Sequence, residues 1–238
     1  MINKTSPQTY ARICGILYLI IIIAGILGQI LVRGSLITTG DAASTVNNLA
    51  TSSSLWRVGI AGDLLMHVFD IPVMLILYVL LKPVNKYLAI LGVLFNMIQT
   101  AVLVANKSIL IIPLILLGNP EYVEAFGTIQ FNAMIYLLTE IHDYGFILGL
   151  IFFGFACLIY GYLIFWSGYL PKILGIMLIV AGLSYLANSF TLILIPKYYE
   201  IVFLFLVLCL IAELSLSLWL ICKGVNISKW NVVSLSGE

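Results

Sequence analysis

Long apolar runs, each closed by a short polar or proline-bearing break, account for most of this chain. A helix needs about 20 mostly apolar residues to cross the hydrocarbon core of a bilayer. Six segments meet that requirement, at roughly 10–32, 55–81, 87–117, 134–165, 170–195 and 199–222. The breaks are helix punctuation: Lys82-Pro83 stops the second segment, Gly118-Asn119-Pro120 the third, Pro171 opens the fifth and Pro196 ends it. The pattern predicts an all-α, polytopic transmembrane bundle of six helices. A single six-helix domain covers 1–224, followed by a short, loose polar cytoplasmic tail over 225–238. The third and fourth segments, at some 30 residues or about 45 Å each, are longer than a bilayer requires.

Composition agrees. Of 238 residues, 63% are hydrophobic and 9% charged, with a mean hydropathy of +1.17, whereas a soluble domain carries about 25% charge. Lys4 and Arg12 ahead of Ile13–Val32 resemble a secretory leader. That run is longer than the usual 7–15 residues of such a leader, so it reads as the first span. Trp56, Tyr87, Trp166, Tyr169, Tyr198, Tyr199 and Trp219 fall near segment ends, where amphipathic rings favour the interface. Lys4, Arg12, Lys82, Lys86, Lys172, Lys223 and Lys229 share one side if the segments alternate, which puts both termini in the cytoplasm. A net charge of +1 and the absence of basic runs exclude a nucleic-acid groove. Cys14, Cys157, Cys209 and Cys222, scattered through apolar segments, are expected as free thiols.

Five carboxylates interrupt the apolar segments: Asp63, Asp70, Glu140, Asp143 and Glu213. Each ionised group near a bilayer centre costs roughly 2.5–3.5 kcal/mol, so they must be paired, protonated or turned to a wet interior. Asp63, His67 and Asp70 lie at i, i+4 and i+7 on one helix face, and Asn96, Gln99, Asn106 and Lys107 trace a stripe on the next helix. Counting residues from the segment ends brings Asp63, His67, Lys107, Glu140 and Asp143 to one level in the outer half. These five are the candidate ligand-binding set. Asp70, Glu213, Asn96 and Gln99, placed deeper, are candidates for a proton or ion path. Pro72 frees a carbonyl near Val68 and favours a cavity beside Asp70.

Several strings have a familiar order. They are Ala11-Arg12-Ile13-Cys14-Gly15-Ile16-Leu17-Tyr18-Leu19, Gly40-Asp41-Ala42-Ala43-Ser44-Thr45-Val46-Asn47-Asn48, and Leu77-Tyr78-Val79-Leu80-Leu81-Lys82-Pro83-Val84. His142-Asp143-Tyr144-Gly145-Phe146 and Ser167-Gly168-Tyr169-Leu170-Pro171-Lys172-Ile173-Leu174-Gly175 follow. Together they resemble the bacterial domain-of-unknown-function family 4386 over roughly 8–224. The resemblance implies a six-helix bacterial inner-membrane protein and carries over no catalytic residue. Asn96 stands where that family would usually place a basic residue in the third span.

Three functions fit these residues. The leading one is non-covalent binding of a small molecule or lipid headgroup in an outward-facing intramembrane polar pocket. A metal-dependent intramembrane hydrolase is the second, with His67, His142, Asp63 and Asp143 as the metal-ligating types. Yet His142 points about 100° from Asp143, and no H-E-x-x-H or nucleophile elbow is present. The third is a proton-coupled transporter, or a network that only fixes helix packing. No cofactor is expected, zinc or a haem between His67 and His142 being the exceptions the residue types allow. The partners expected are the bilayer, a small-molecule or lipid ligand and a second copy of the chain. Asp41 is the expected N-cap of a short helix in the outer loop, read either as a connector or as a lid.

Overall fold

In a computed structural model that describes residues 6–236, every regular element is helical. Lys4 lies outside the described residues. The six spans are α1 (Pro7–Leu36), α3 (Ser53–Leu81), α4 (Lys86–Leu117), α6 (Thr128–Ser167), α7 (Lys172–Leu194) and Pro196–Cys222, whose last part is α9 (Leu206–Cys222). Between them lie α2 (Ala42–Thr51), α5 (Pro120–Phe126) and the single turn α8 (Tyr199–Phe203), and α10 (Ile227–Ser236) follows. Of these, α6 runs to 40 residues, and α1, from Pro7 to Leu36, carries a π-helical stretch at Gly28–Arg33. The chain is therefore an all-α, multi-pass membrane protein.

The exposed surface of the spans is apolar. Ile16, Leu65, Leu75, Leu94, Leu183 and Leu208 are all exposed, the inverse of a water-facing helix and the arrangement lipid requires. On α6 the exposed Tyr144 and Trp166 bracket an apolar stretch about 33 Å long at ~1.5 Å per residue. That length matches a hydrocarbon core of about 30 Å with aromatic rings at each boundary.

Contacts divide the chain into two compact units. One gathers the stretch ending at Ile22, Val68–Thr100 and the stretch from Ile147 onward; the other gathers Ile23–His67 and Ala101–Phe146. In the first unit Cys14, Tyr18, Leu80, Leu163, Leu174, Leu216 and Leu220 form a continuous core. There α6 and α7 touch backbone to backbone. A Cβ on Gly161 would lie 2.7 Å from the Gly175 carbonyl oxygen, and one on Gly182 would lie 2.7 Å from the Gly154 carbonyl oxygen. Small residues are what permit such an approach where lipid supplies no hydrophobic drive.

The chain after 224, expected to be loose, is tied down. Leu80 has lost its helical donor at the end of α3, where Val84 N–H turns to Leu81 instead. The Tyr169 hydroxyl (2.6 Å) and Trp230 Nε1 (3.2 Å) donate to the Leu80 carbonyl in its place. Gln8 accepts from Val225 N–H and donates to the Lys223 carbonyl. The stretch is thus held as helix α10 in part by Trp230, whose indole N–H finds an orphan acceptor.

The second unit is built on Val32, Leu49, Trp56, Ile60, Leu110, Phe131 and Ile135. Asp41 caps α2 as expected, accepting from Ser44 N–H at 3.0 Å and Ser44 Oγ at 2.6 Å. These bonds hold its carboxyl below the ordinary value. Trp56, expected at the membrane boundary, is instead buried and donates to the Leu110 carbonyl at 2.8 Å. That carbonyl lies one turn before Pro113, where the helix ladder is weakened.

Gly161→Val should push α6 from α7 and lower stability by about 1–3 kcal/mol, whereas Gly62→Ala, with open space around it, should not. Thermal unfolding in detergent checks both.

Candidate functional site

The charged centre of the second unit is Asp63. Its Oδ2 accepts from Arg33 Nη1 at 2.6 Å and from Lys107 Nζ at 2.9 Å. Asp63, Lys107 and Arg33 are all buried, Asp63 to 2% exposure. Arg33 is steered by Gln29, whose Oε1 accepts from Nε at 2.8 Å. Both residues lie in the π-helical stretch, a distortion that often marks functional positions. Gly28 in the same stretch leaves room for the carboxylate, since a Cβ there would lie 2.8 Å from Asp63 Oδ1.

Lys107 also lies 3.2 Å from His142 Nε2, and His142 Nδ1 lies 3.3 Å from Asp143 Oδ1. An ammonium group only donates, so the tautomer that satisfies both contacts accepts at Nε2 and carries its hydrogen on Nδ1. Asn106 Nδ2 donates to the His142 carbonyl at 2.8 Å. A hydrogen-bonded chain therefore runs from buried Asp63 through Lys107 and His142 to Asp143, whose side chain is 66% exposed. His67, one helical turn from Asp63 and buried, leaves Nε2 with no hydrogen-bond partner.

This arrangement divides the expected set. Asp63, His67 and Lys107 face the interior of the unit, but Glu140 and Asp143 are exposed. The reason is helix phase. Phe131, Ile135, Thr139 and His142 form the buried stripe of α6, so the carboxylates one residue beyond Thr139 and His142 turn outward. Arg33, at the edge of the first apolar run and outside the expected set, is the closest partner of Asp63. Its burial depends on the π-helical stretch, which the sequence pattern does not signal. Arg57 is exposed.

The residue types that suggested zinc do not converge. Among the described residues no three His, Cys, Asp or Glu side chains come together in a metal-binding group. Nor does His142 offer a free nitrogen to a haem, since Lys107 and Asp143 face its two ring nitrogens.

The first unit holds the other polar positions. Asp70 accepts from Thr100 Oγ1 at 2.5 Å and from Asn96 Nδ2 at 3.4 Å. Gln99 Oε1 accepts from the same Thr100 hydroxyl at 3.3 Å. Glu213 accepts from Tyr185. Asn188 and Ser189 of α7 are fully buried and their side chains are unpartnered. Thr100, Tyr18, Tyr160 and Tyr185 escaped the sequence reading because, among apolar neighbours, a tyrosine or threonine looks like packing.

Asp63→Ala would leave Arg33 and Lys107 buried without a counter-ion, and should cost about 3–5 kcal/mol. Glu140→Ala should stay within about 0.5 kcal/mol. Chemical denaturation in mild detergent distinguishes the two.

The model of a family described as Domain of unknown function (DUF4386) matches residues 13–224. An uncharacterized protein of Archaeoglobus fulgidus is 26% identical over 172 residues, covering 71% of this chain and 86% of that protein. No solved structure matches. With a match that passes through all six spans, the chain belongs to the DUF4386 family.

Proposed function

We propose that this protein is a receptor-like binding protein of the bacterial cytoplasmic membrane, and that its Arg33–Asp63–Lys107 cluster takes a small molecule or lipid headgroup bearing a negative charge. One observation carries the reading: two buried cations face one buried carboxylate, and the unpartnered His67 Nε2 lies on the same helix face. An uncompensated buried charge is costly, and an incoming carboxylate or phosphate would relieve that cost while accepting hydrogen bonds from Arg33 and Lys107. The contact from Lys107 through His142 to exposed Asp143 supports entry at headgroup level. No covalent step is needed. Arg12, Lys82, Lys86, Lys172, Lys223 and Lys229 support cytoplasmic termini and an outward-facing cluster.

Inorganic phosphate should raise the unfolding temperature of the purified protein more than chloride at equal ionic strength. Lys107→Met should abolish the gain yet stay folded, because Arg33 still neutralises Asp63. Phosphate should also recover part of the stability lost in Asp63→Ala by standing in for the missing carboxylate. Stabilisation by phosphatidylglycerol over phosphatidylcholine vesicles, with no response to free phosphate, would assign the ligand to a lipid headgroup. No anion effect in any of these would defeat the reading.

Orientation is tested separately. A cysteine introduced as Lys229→Cys, with the native cysteines replaced, should react with an impermeant maleimide in inverted vesicles and not in spheroplasts.

A further inference from the structure

Asp70 and Glu213, two carboxylates of the first unit, make no ion pair among the described residues. Asp70 is held by the side chains of Thr100 and Asn96, and Glu213 by Tyr185. Tyr18 also approaches the Glu213 carboxyl. The titratable side chains around them are Tyr18 from α1, Cys157 and Tyr160 from α6, Tyr185 from α7 and Cys209 from α9. None of these is a cation. Two full negative charges in such surroundings would each cost several kcal/mol, so the site as built calls for positive charge.

A second, independent observation shows where that charge would enter. Tyr18, Asp70, Asn96 and Tyr160 line a cavity of about 20 Å³, closed otherwise by Val73, Leu77, Phe153 and other apolar groups. The Tyr160 hydroxyl, on a side chain 96% buried by its 4% exposure, has no hydrogen-bond partner. A cavity of that volume accommodates one water, which needs two to four polar partners. Asp70, Tyr160, Asn96 and Tyr18 supply that number. Sodium would need five or six oxygens, more than this mostly apolar wall offers, so a proton on a carboxyl–water pair fits better than a metal ion.

We propose that Asp70, beside this water-sized cavity, and Glu213, reached from it through Tyr18, form a proton-binding site that loads and releases an exchangeable proton. Loading transfers a proton from hydronium to one carboxylate oxygen and leaves neutral water; release is the reverse, and no electron changes hands. Each carboxyl, surrounded by apolar groups and hydroxyls, sheds the cost of its buried charge when it takes up a proton. Chains of buried Asp and Glu of this kind carry protons through membrane proteins. The site is independent of anion binding at Asp63, since it uses none of the same residues.

The test is infrared spectroscopy of the purified full-length protein between pH 5 and pH 10, following the C=O stretch of protonated carboxyl groups. The expected result is a band that disappears as pH rises, by about tenfold per pH unit above its midpoint. It should be lost in Asp70→Asn or Glu213→Gln and unchanged when sodium replaces choline. Tyr160→Phe, which removes one hydroxyl from a buried ring and leaves the fold intact, should shift the midpoint. If the band is absent, does not change with pH or persists unchanged in both carboxylate variants, the proposal fails. Loss of the band on adding sodium at constant pH also overturns it, in favour of a metal-ion site. An unshifted midpoint in Tyr160→Phe removes the cavity from the proton's path.

Discussion

A charged or polar group withdrawn from water into protein surrounded by lipid must find its partners within the protein, because hydrocarbon offers none. In the second unit that constraint falls on Asp63. Its carboxylate would be untenable at 2% exposure without Arg33 and Lys107, and neither cation would be tenable there without it. Three helices meet at that oxygen: α1 brings Arg33, α3 brings Asp63 and α4 brings Lys107. The local departures from ideal helix serve the same contact. The π-helical stretch at Gly28–Arg33 aims Arg33, and Gly28 clears space for the carboxylate. A buried ion pair of this kind need not add stability over an apolar core. What it adds is a unique register for three helices that apolar side chains alone would let rotate.

The first unit meets the same constraint without cations. Asp70 and Glu213 are held by side-chain hydroxyl and amide groups, and a small cavity with an orphan tyrosine hydroxyl adjoins Asp70. Backbone groups obey the rule as well. The Leu80 carbonyl, orphaned where α3 ends, collects Tyr169 and Trp230, and the Leu110 carbonyl collects Trp56. Close glycine contacts between α6 and α7 complete the packing by bringing backbones together where side chains would hold them apart.

Much of the candidate site was legible in the sequence, but its membership was not. Asp63, His67, Lys107 and Asn106 stood out because polar side chains in apolar helices are few and must be used. Glu140 and Asp143 stood out for the same reason, yet they face outward. Their depth can be counted along the chain to within a turn, but their azimuth depends on which stripe of α6 is buried. Both stripes there are nearly equally apolar, so periodicity does not choose between them. Arg33 shows the opposite failure. At the edge of an apolar run it looks like a solvated flank, and only the π-helical twist turns it inward.

The sequence by itself determined that six helices are long and apolar enough to cross a membrane, roughly where each lies in the chain, and which polar residues fall within them. Those properties follow from hydropathy, chain length and proline or glycine breaks, all of which are local. Tertiary structure alone decided which cation neutralises Asp63, that Asp70 and Glu213 go without one, that Trp56 is buried, and that the polar tail folds as a helix against Leu80. These outcomes turn on rotations of tens of degrees about helix axes and on orphan acceptors made by neighbouring helices. Such features arise between segments distant in the chain, and no local pattern encodes them.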